Sequence, residues 1–163
     1  MKTLETHRLI LRDWAESDLE DAAAIWPEFG GQEDSRSLLQ YFIRVKNNYA
    51  IVLKETCRII GSVGLNEDGD GNENARNVGF ILLEKYWNRG LMTEALREII
   101  ANVSDITTTL SAGHTRDNTK SEHILKKLGF RYIKTLPRTD YEGGDPQNDL
   151  LYYVLEIKKQ PPE

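Results

Sequence analysis

Three short apolar runs in the middle of the chain restrict its fold more than any other feature. They are "YAIVLK" (49–54), "RIIGSVGL" (58–65) and "NVGFILL" (77–83). Each is rich in β-branched or aromatic residues and bounded by turn-forming ones, which is a strand signature. Strands joined by short turns pair as antiparallel hairpins, whereas parallel strands need a crossover of a dozen or more residues. The linker "NEDGDGNENAR" between the last two runs is dense in Gly, Asn and Asp, so it reads as the solvated tip of a hairpin. Asp68, Asp70 and Asn72 imitate the opening of a calcium loop there. The imitation fails at the sixth and twelfth positions, where Gly and Glu are needed and Glu73 and Gly79 stand.

Helical patterns flank these strands. "HRLILRDW" (7–14) reads as a first strand with apolar groups on both faces. In the segment after it, Ser17 and Glu20 have capping-box spacing, Leu19, Ala22, Ala23 and Trp26 recur at helical intervals, and Pro27 stops the run. Leu38, Leu39, Phe42 and Val45 mark a second amphipathic helix over 35–47. Leu96, Ile99, Ile100 and Val103 make one face of a third. "ITTTLSA" (106–112) reads as a strand. A short helix follows over 118–130, with Thr119 and Glu122 at capping spacing and Ile124, Leu125 and Leu128 inward. Lys126 and Lys127 suit its negative end, and Gly129 the left-handed cap. Strands 130–136 and 150–157 close the chain. The order β-α-α-β-β-β-α-β-α-β-β predicts an α/β (α+β) fold: a mixed, mostly antiparallel sheet of six to seven strands with about four helices.

The length, 163 residues, suits a single domain over 1–163. The net charge, 21 − 26 = −5, argues against nonspecific nucleic-acid binding, which needs clustered cations. Cys57, the one cysteine, has no internal disulfide partner, and no Cys/His spacing suggests a metal site. Placed at the start of a strand, it reads as a packing residue. With no signal pattern and no apolar run of spanning length, a cytoplasmic protein is expected, with no membrane partner.

In "YWNRGLMTEAL" (86–96) a strand runs into a helix opened by Gly90. The first N–H groups of a helix have no partner inside it and lie at the positive end of its dipole, a natural anion site. A single Gly is equally at home in an ordinary strand-to-helix turn, and neither the Walker nor the Rossmann pattern is present.

The end-to-end pattern settles the weight. "LETHRLILRDWAESDLED", "IIGSVGL", "NVGFILLEKYWNRGLMTEAL" and "DNTKSEHILKKLGFRYI", in that order and spacing, resemble the GNAT superfamily of acetyl-CoA-dependent N-acetyltransferases. The branch is the one of the ribosomal-protein N-terminal acetyltransferases RimJ and RimL. The resemblance implies a GNAT fold whose fourth and fifth strands splay apart. It implies that Asn88, Arg89, Gly90, Leu91, Met92 and Thr93 cradle the coenzyme A pyrophosphate. Phe80, Ile81 and Leu82 would face the pantetheine arm, with an N–H near Ile81 or Leu82 serving the oxyanion. Asn118 would hold the arm, and Ser121, of the Asn-x-x-Ser helix, would donate to the departing sulfur. Trp14, Phe29 and Glu33 are candidate acceptor contacts, although a Trp at position 14 is more often a core residue.

The chain departs from the family at several places. Met92 stands where Gly or Ala is usual, Asn88 where this branch often has Gly, and Leu125 where many members carry a Tyr acid. Asn77 replaces a frequent Glu, and Asn66 a frequent His. Glu33, Asp34 and Glu67 are base candidates by loop position, with a water relay as the default. His7, His114 and His123 have no partner at triad spacing and read as structural or surface. The implied reaction is acetyl transfer from acetyl-CoA to a primary amine: a protein N-terminus, an amino acid, a polyamine or an aminoglycoside, by a monomer or homodimer. The rivals are a non-catalytic acyl-CoA-binding domain and a protein-interaction module.

Overall fold

A computed structural model describes residues 1–27, 32–69, 72–137 and 149–158. Among the described residues eight strands and four helices follow one another, beginning β1 (Leu4–Glu5), β2 (Leu9–Arg12), α1 (Leu19–Ile25), α2 (Gln32–Val45), β3 (Asn48–Leu53), β4 (Arg58–Glu67) and β5 (Ala75–Leu82). Then come α3 (Leu91–Asn102), β6 (Thr109–Thr115), α4 (Thr119–Lys127), β7 (Arg131–Leu136) and β8 (Leu150–Glu156). The sheet order is β1-β2-β3-β4-β5-β6-β8-β7. The β5–β6 pair is parallel, as its α3 crossover requires, and β2–β3, β6–β8 and β7–β8 are antiparallel. The expected mixed, mostly antiparallel sheet is therefore present. Its eighth strand, β1, is a two-residue extension paired to β2 that is too short to leave a periodic signal.

The chain groups into two compact units. One comprises residues 1–65 and 80–99, the other 66–79 and 100–163. In the first unit β3 is buried at every position, so both of its faces are covered. Trp14, Ala22, Ile25, Leu39, Phe42 and Val52 form a core around α1 and α2. Trp14 packs against Trp26 and Phe42 with ring centroids 5.6 and 6.0 Å away. Its ring belongs to this core.

The α1 entry differs from the capping box expected at Ser17 and Glu20. Residues Glu16–Asp18 form a 3-10 turn, and the Asp18 carboxylate accepts from the Ala15 N–H at 2.8 Å. Asp18 is buried because Arg12 meets it with two N–H donors, at 2.8 and 3.0 Å. Cys57 also differs from expectation. It is exposed, at φ 55°, in the tight turn between β3 and β4, where its N–H bonds the Leu53 carbonyl at 2.8 Å. The strand starts one residue later.

In the second unit β6 begins three residues after the predicted strand. Ile106 and Thr107 are spent on a turn, both donating to the Val103 carbonyl, and Thr107 Oγ1 bonds the Asn74 and Thr109 carbonyls. The cap of α4 is Asn118 rather than Thr119: Asn118 Oδ1 accepts from the Ser121 N–H at 3.1 Å, and Glu122 pairs with Lys126 instead. The other end follows the sequence reading. Gly129 has φ 89°, Gly129 N–H bonds Lys126 O at 3.1 Å, and Phe130 N–H bonds Leu125 O at 3.0 Å, which is a Schellman cap.

Candidate functional site

In the first unit, β5 ends in a 3-10 turn, Glu84–Tyr86, before α3. Two residues of the connection have left-handed backbones, Asn88 at φ 58° and Gly90 at φ 73°. Glycine takes that conformation without penalty, and Asn is among the residues that tolerate it best. Asn at 88, in place of the branch's frequent Gly, thus keeps the turn. A Cβ built on Gly90 would meet only Arg8 Nη2, at an ordinary 3.7 Å, so the φ angle rather than crowding selects glycine here.

The Gly90 carbonyl accepts from Glu94 N–H at 3.0 Å, which opens the helix. The N–H groups of Gly90, Leu91, Met92 and Thr93 precede that first bond and have no partner within α3. The side chains of Leu91, Met92 and Thr93 are all buried, so the bulk of Met92 is packed into the interior. What remains for a ligand is backbone N–H at the positive end of a 12-residue helix.

A long-range clamp braces this turn. Arg8 Nη1 donates to the Arg89 carbonyl at 3.0 Å, Nε donates to Glu94 Oε2 at 2.7 Å, and Nη2 pairs with the same oxygen at 2.7 Å. Glu94 Oε1 accepts from Thr6 Oγ1 at 2.6 Å and from the Arg8 N–H at 2.9 Å. Partial burial acts to raise the Glu94 pKa, but the Thr6 and Arg8 hydrogen bonds and the Arg8 charge together hold it below its ordinary value. Arg8 also neutralises a carboxylate that would otherwise repel an anion at the helix mouth. The Arg89 guanidinium is exposed and lies over the Tyr86 ring at 5.8 Å.

The edge of β5 is also defined. Leu83 N–H donates to Ile60 O at 2.9 Å, which turns Leu83, and by alternation Ile81, toward β4. Phe80 and Leu82 turn their backbone groups the other way. The Leu82 carbonyl accepts from Trp87 Nε1 at 2.7 Å. Of the two residues expected near an oxyanion, Leu82 is the one whose N–H faces away from β4.

In the second unit the parallel β5–β6 ladder has three rungs, Ala75↔Thr109, Arg76↔Leu110 and Asn77↔Ser111. Pairing stops there although β6 runs on to Thr115, so the strands diverge after Asn77. These two are the fourth and fifth strands of the sequence reading, once β1 is added. At the last rung Asn77 Nδ2 donates to Ser111 Oγ at 3.0 Å, and Ser111 Oγ donates to Asp68 Oδ1 at 2.9 Å. The Tyr152 hydroxyl donates to the same oxygen at 3.2 Å. Asp68 is thus half-buried and engaged, not a solvated hairpin tip.

Asn118 and Ser121 share the first turn of α4, Asn118 as its cap and Ser121 half-buried three positions on. Leu125 is fully buried, so the position of the family's Tyr acid is apolar core. His114 is buried beside Tyr153, with Nδ1 on the Thr115 carbonyl at 2.7 Å, while His7 and His123 are exposed. Phe29 and the Glu33 side chain lie outside the described residues; Asp34, Asn66 and Glu67 are exposed. Arg8, Glu94, Asp68 and Ser111 carried no local signal, because each meets its site partners across 34 to 88 residues of chain.

The α3 entry thus presents backbone N–H groups at the positive end of a helix, with the exposed Arg89 beside it, a donor set suited to an anion. The model of the acetyltransferase (GNAT) domain matches residues 8–131. The uncharacterized N-acetyltransferase YoaA of Bacillus subtilis (strain 168) is 24% identical, over 96% of this chain and 98% of its own. The ribosomal-protein-S5-alanine acetyltransferase of Vibrio fischeri superposes with TM-score 0.82 at 19% identity, over 99% of this chain and 100% of that one. RimL, the ribosomal L7/L12 alpha-N-protein acetyltransferase solved with coenzyme A, superposes with TM-score 0.81 at 18% identity, over 96% and 98%. The chain belongs to the GNAT family and is an acetyl-CoA-dependent N-acetyltransferase.

Proposed function

We propose that this acetyltransferase acts on a primary amine by direct transfer, with the α-amino group of a protein N-terminus ahead of small amines as acceptor. The observation that carries the reading is the α3 entry. Gly90 at φ 73° leaves four N–H groups without helix partners, and Arg8 holds the Arg89 carbonyl in place. The N–H groups of Gly90 to Thr93 would hold the phosphates, with Arg89 adding a charge. Acetyl-CoA, when bound, supplies the acetyl group as a thioester. Phe80 and Leu82 would bond the carrier's amide arm along the β5 edge, and the Leu82 N–H would serve the carbonyl oxygen. Asn118 would orient the end of the arm. Ser121 would donate its hydroxyl proton to the departing sulfur, since buried Leu125 has none to give.

The preference for a protein N-terminus draws on the names of the two ribosomal-protein acetyltransferases that share the fold, and on the net charge of −5, which favours a cationic acceptor. Work in the cytoplasm as a monomer or homodimer is part of the proposal; among the described residues no helix is long and apolar enough to cross a membrane.

The test is thiol release from acetyl-CoA with peptides beginning in Ser, Ala or Met beside spermidine, glycinamide and an aminoglycoside. The products are located by mass spectrometry. Acetyl on the peptide α-nitrogen is expected. Turnover of small amines alone overturns the acceptor preference. Ser121→Ala should lower kcat while leaving the acetyl-CoA KM in place; an unchanged kcat removes Ser121 from the chemistry.

A further inference from the structure

Asn77, at the last β5–β6 rung, carries an amide, which takes up no proton. The fold supplies a carboxylate from elsewhere. Asp68 comes in from the β4–β5 connection and reaches the rung at which β5 and β6 part. We infer that Asp68 receives the acceptor amine in this enzyme, binding its ammonium and taking the proton that must leave before attack. The inference rests on the amine-acceptor reading above.

Three observations support it. The hydrogen bonds run one way. Asn77 Nδ2 donates to Ser111 Oγ and Ser111 Oγ donates to Asp68, so the hydroxyl of a fully buried serine is committed to the carboxylate. Next, Oδ1 takes both close bonds, from Ser111 at 2.9 Å and Tyr152 at 3.2 Å, while Oδ2 has only the Tyr152 hydroxyl, at 3.5 Å, among the described residues. A carboxylate offers about four lone-pair sites, so Oδ2 keeps capacity for an N–H donor. Finally, the group lies at the one place where the β5–β6 ladder ends. Backbone amides released there need partners, and a substrate can supply them.

The step balances. Asp68 takes one proton from the ammonium, leaving a neutral amine. The nitrogen lone pair forms the C–N bond at the thioester carbonyl carbon as the C–S bond breaks. A second nitrogen proton replaces the one that the Ser121 hydroxyl gives to the sulfur, and Asp68 returns its own to solvent. Asn77, Ser111 and Tyr152 are positioning residues: they fix the carboxylate without touching substrate.

The rival account has Asp68 only anchoring its hairpin. Asp68→Asn separates the two, because an amide oxygen still accepts from Ser111 and Tyr152. The variant is assayed by thiol release with the peptide and small-amine panel, with hydroxylamine, which is already neutral at about pH 7, and by calorimetric titration with coenzyme A. On the best amine, kcat/KM should fall about 100-fold at about pH 7. Coenzyme A affinity and Tm should stay, and the deficit should shrink above about pH 8, where an α-ammonium group loses its proton unaided. Hydroxylamine should show little loss. A fall under threefold overturns the inference, as does an equal fall on hydroxylamine, which marks misfolding or mere anchoring. If wild type acetylates small amines and no peptide, the N-terminus preference fails while Asp68 is judged on the small amines. If wild type binds coenzyme A yet acetylates nothing in the panel, both fall.

Discussion

Removing the Glu94 carboxylate should loosen the mouth of α3 and destabilise the first unit together. In Glu94→Ala four contacts go: the Thr6 hydroxyl at 2.6 Å, the Arg8 N–H at 2.9 Å, and the Arg8 Nε and Nη2 contacts at 2.7 Å. The guanidinium is 40% exposed, so its share is that of a surface ion pair, at most about 1 kcal/mol. The hydroxyl and backbone N–H donate to a charged acceptor and lose it, about 1 kcal/mol each after allowance for water. The sum is about 3 kcal/mol. Glu94→Gln keeps an oxygen for Thr6 and the Arg8 N–H and should lose only the ion-pair share, about a third of that.

The pH dependence has a definite sign. The folded pKa lies below the ordinary 4.5, so the stabilisation is fully present above about pH 5 and is lost as pH falls through the folded value. Urea unfolding at about pH 7, 5 and 3 reads both effects. The gap between wild type and Glu94→Gln should be widest at the two higher values and close toward the lowest. Because Arg8 also holds the Arg89 carbonyl, the KM for acetyl-CoA should rise in Glu94→Ala more than kcat falls. A Glu94→Ala protein within 0.5 kcal/mol (about one-sixth of the expected loss), or a Glu94→Gln gap that is the same at all three pH values, would refute the clamp.

Other substitutions probe the same architecture. Gly90→Ala should cost about 1–2 kcal/mol through its φ of 73°, read as a lower Tm, and Gly90→Asp should in addition lose at least about tenfold in coenzyme A affinity by calorimetry, a carboxylate opposing the phosphates. Asn88→Gly should leave affinity and stability within about 0.5 kcal/mol, whereas Asn88→Val should lower both, since a β-branched residue resists φ 58°. Leu125→Ala, which empties a fully buried site under α4, should destabilise by about 2–5 kcal/mol in chemical denaturation.

Much of the fold was legible because its signals are local. The inward face of α3, with Leu96 and Ile99 buried and Val103 buried just past its end, follows from spacing within a few turns of one helix. The Leu128–Phe130 cap follows from one glycine after a lysine pair, and the strained turn before α3 from Gly90. The family pattern located the loop and the Asn118–Ser121 turn for the same reason: each is a contiguous motif. Caps and strand edges were read less well. Ser17, Glu20, Thr119 and Glu122 have the right spacing, but the caps that form use other residues and other N–H groups: Asp18, held by Arg12, accepts from Ala15, and Asn118 accepts from Ser121. Cys57 looked like strand and is turn, because β4 pairs from Arg58 onward.

The tertiary structure alone decided which distant side chains meet within each unit. Thr6, Arg8 and Glu94 meet across 86 to 88 residues, Asn77 and Ser111 across 34, and Asp68 and Tyr152 across 84. No periodicity or cap residue encodes such pairs. They exist because β2 returns beside the start of α3, and because the β5–β6 ladder ends at one rung. A buried serine there has a hydroxyl that must be satisfied, and Asp68 is the carboxylate that the hairpin brings to it.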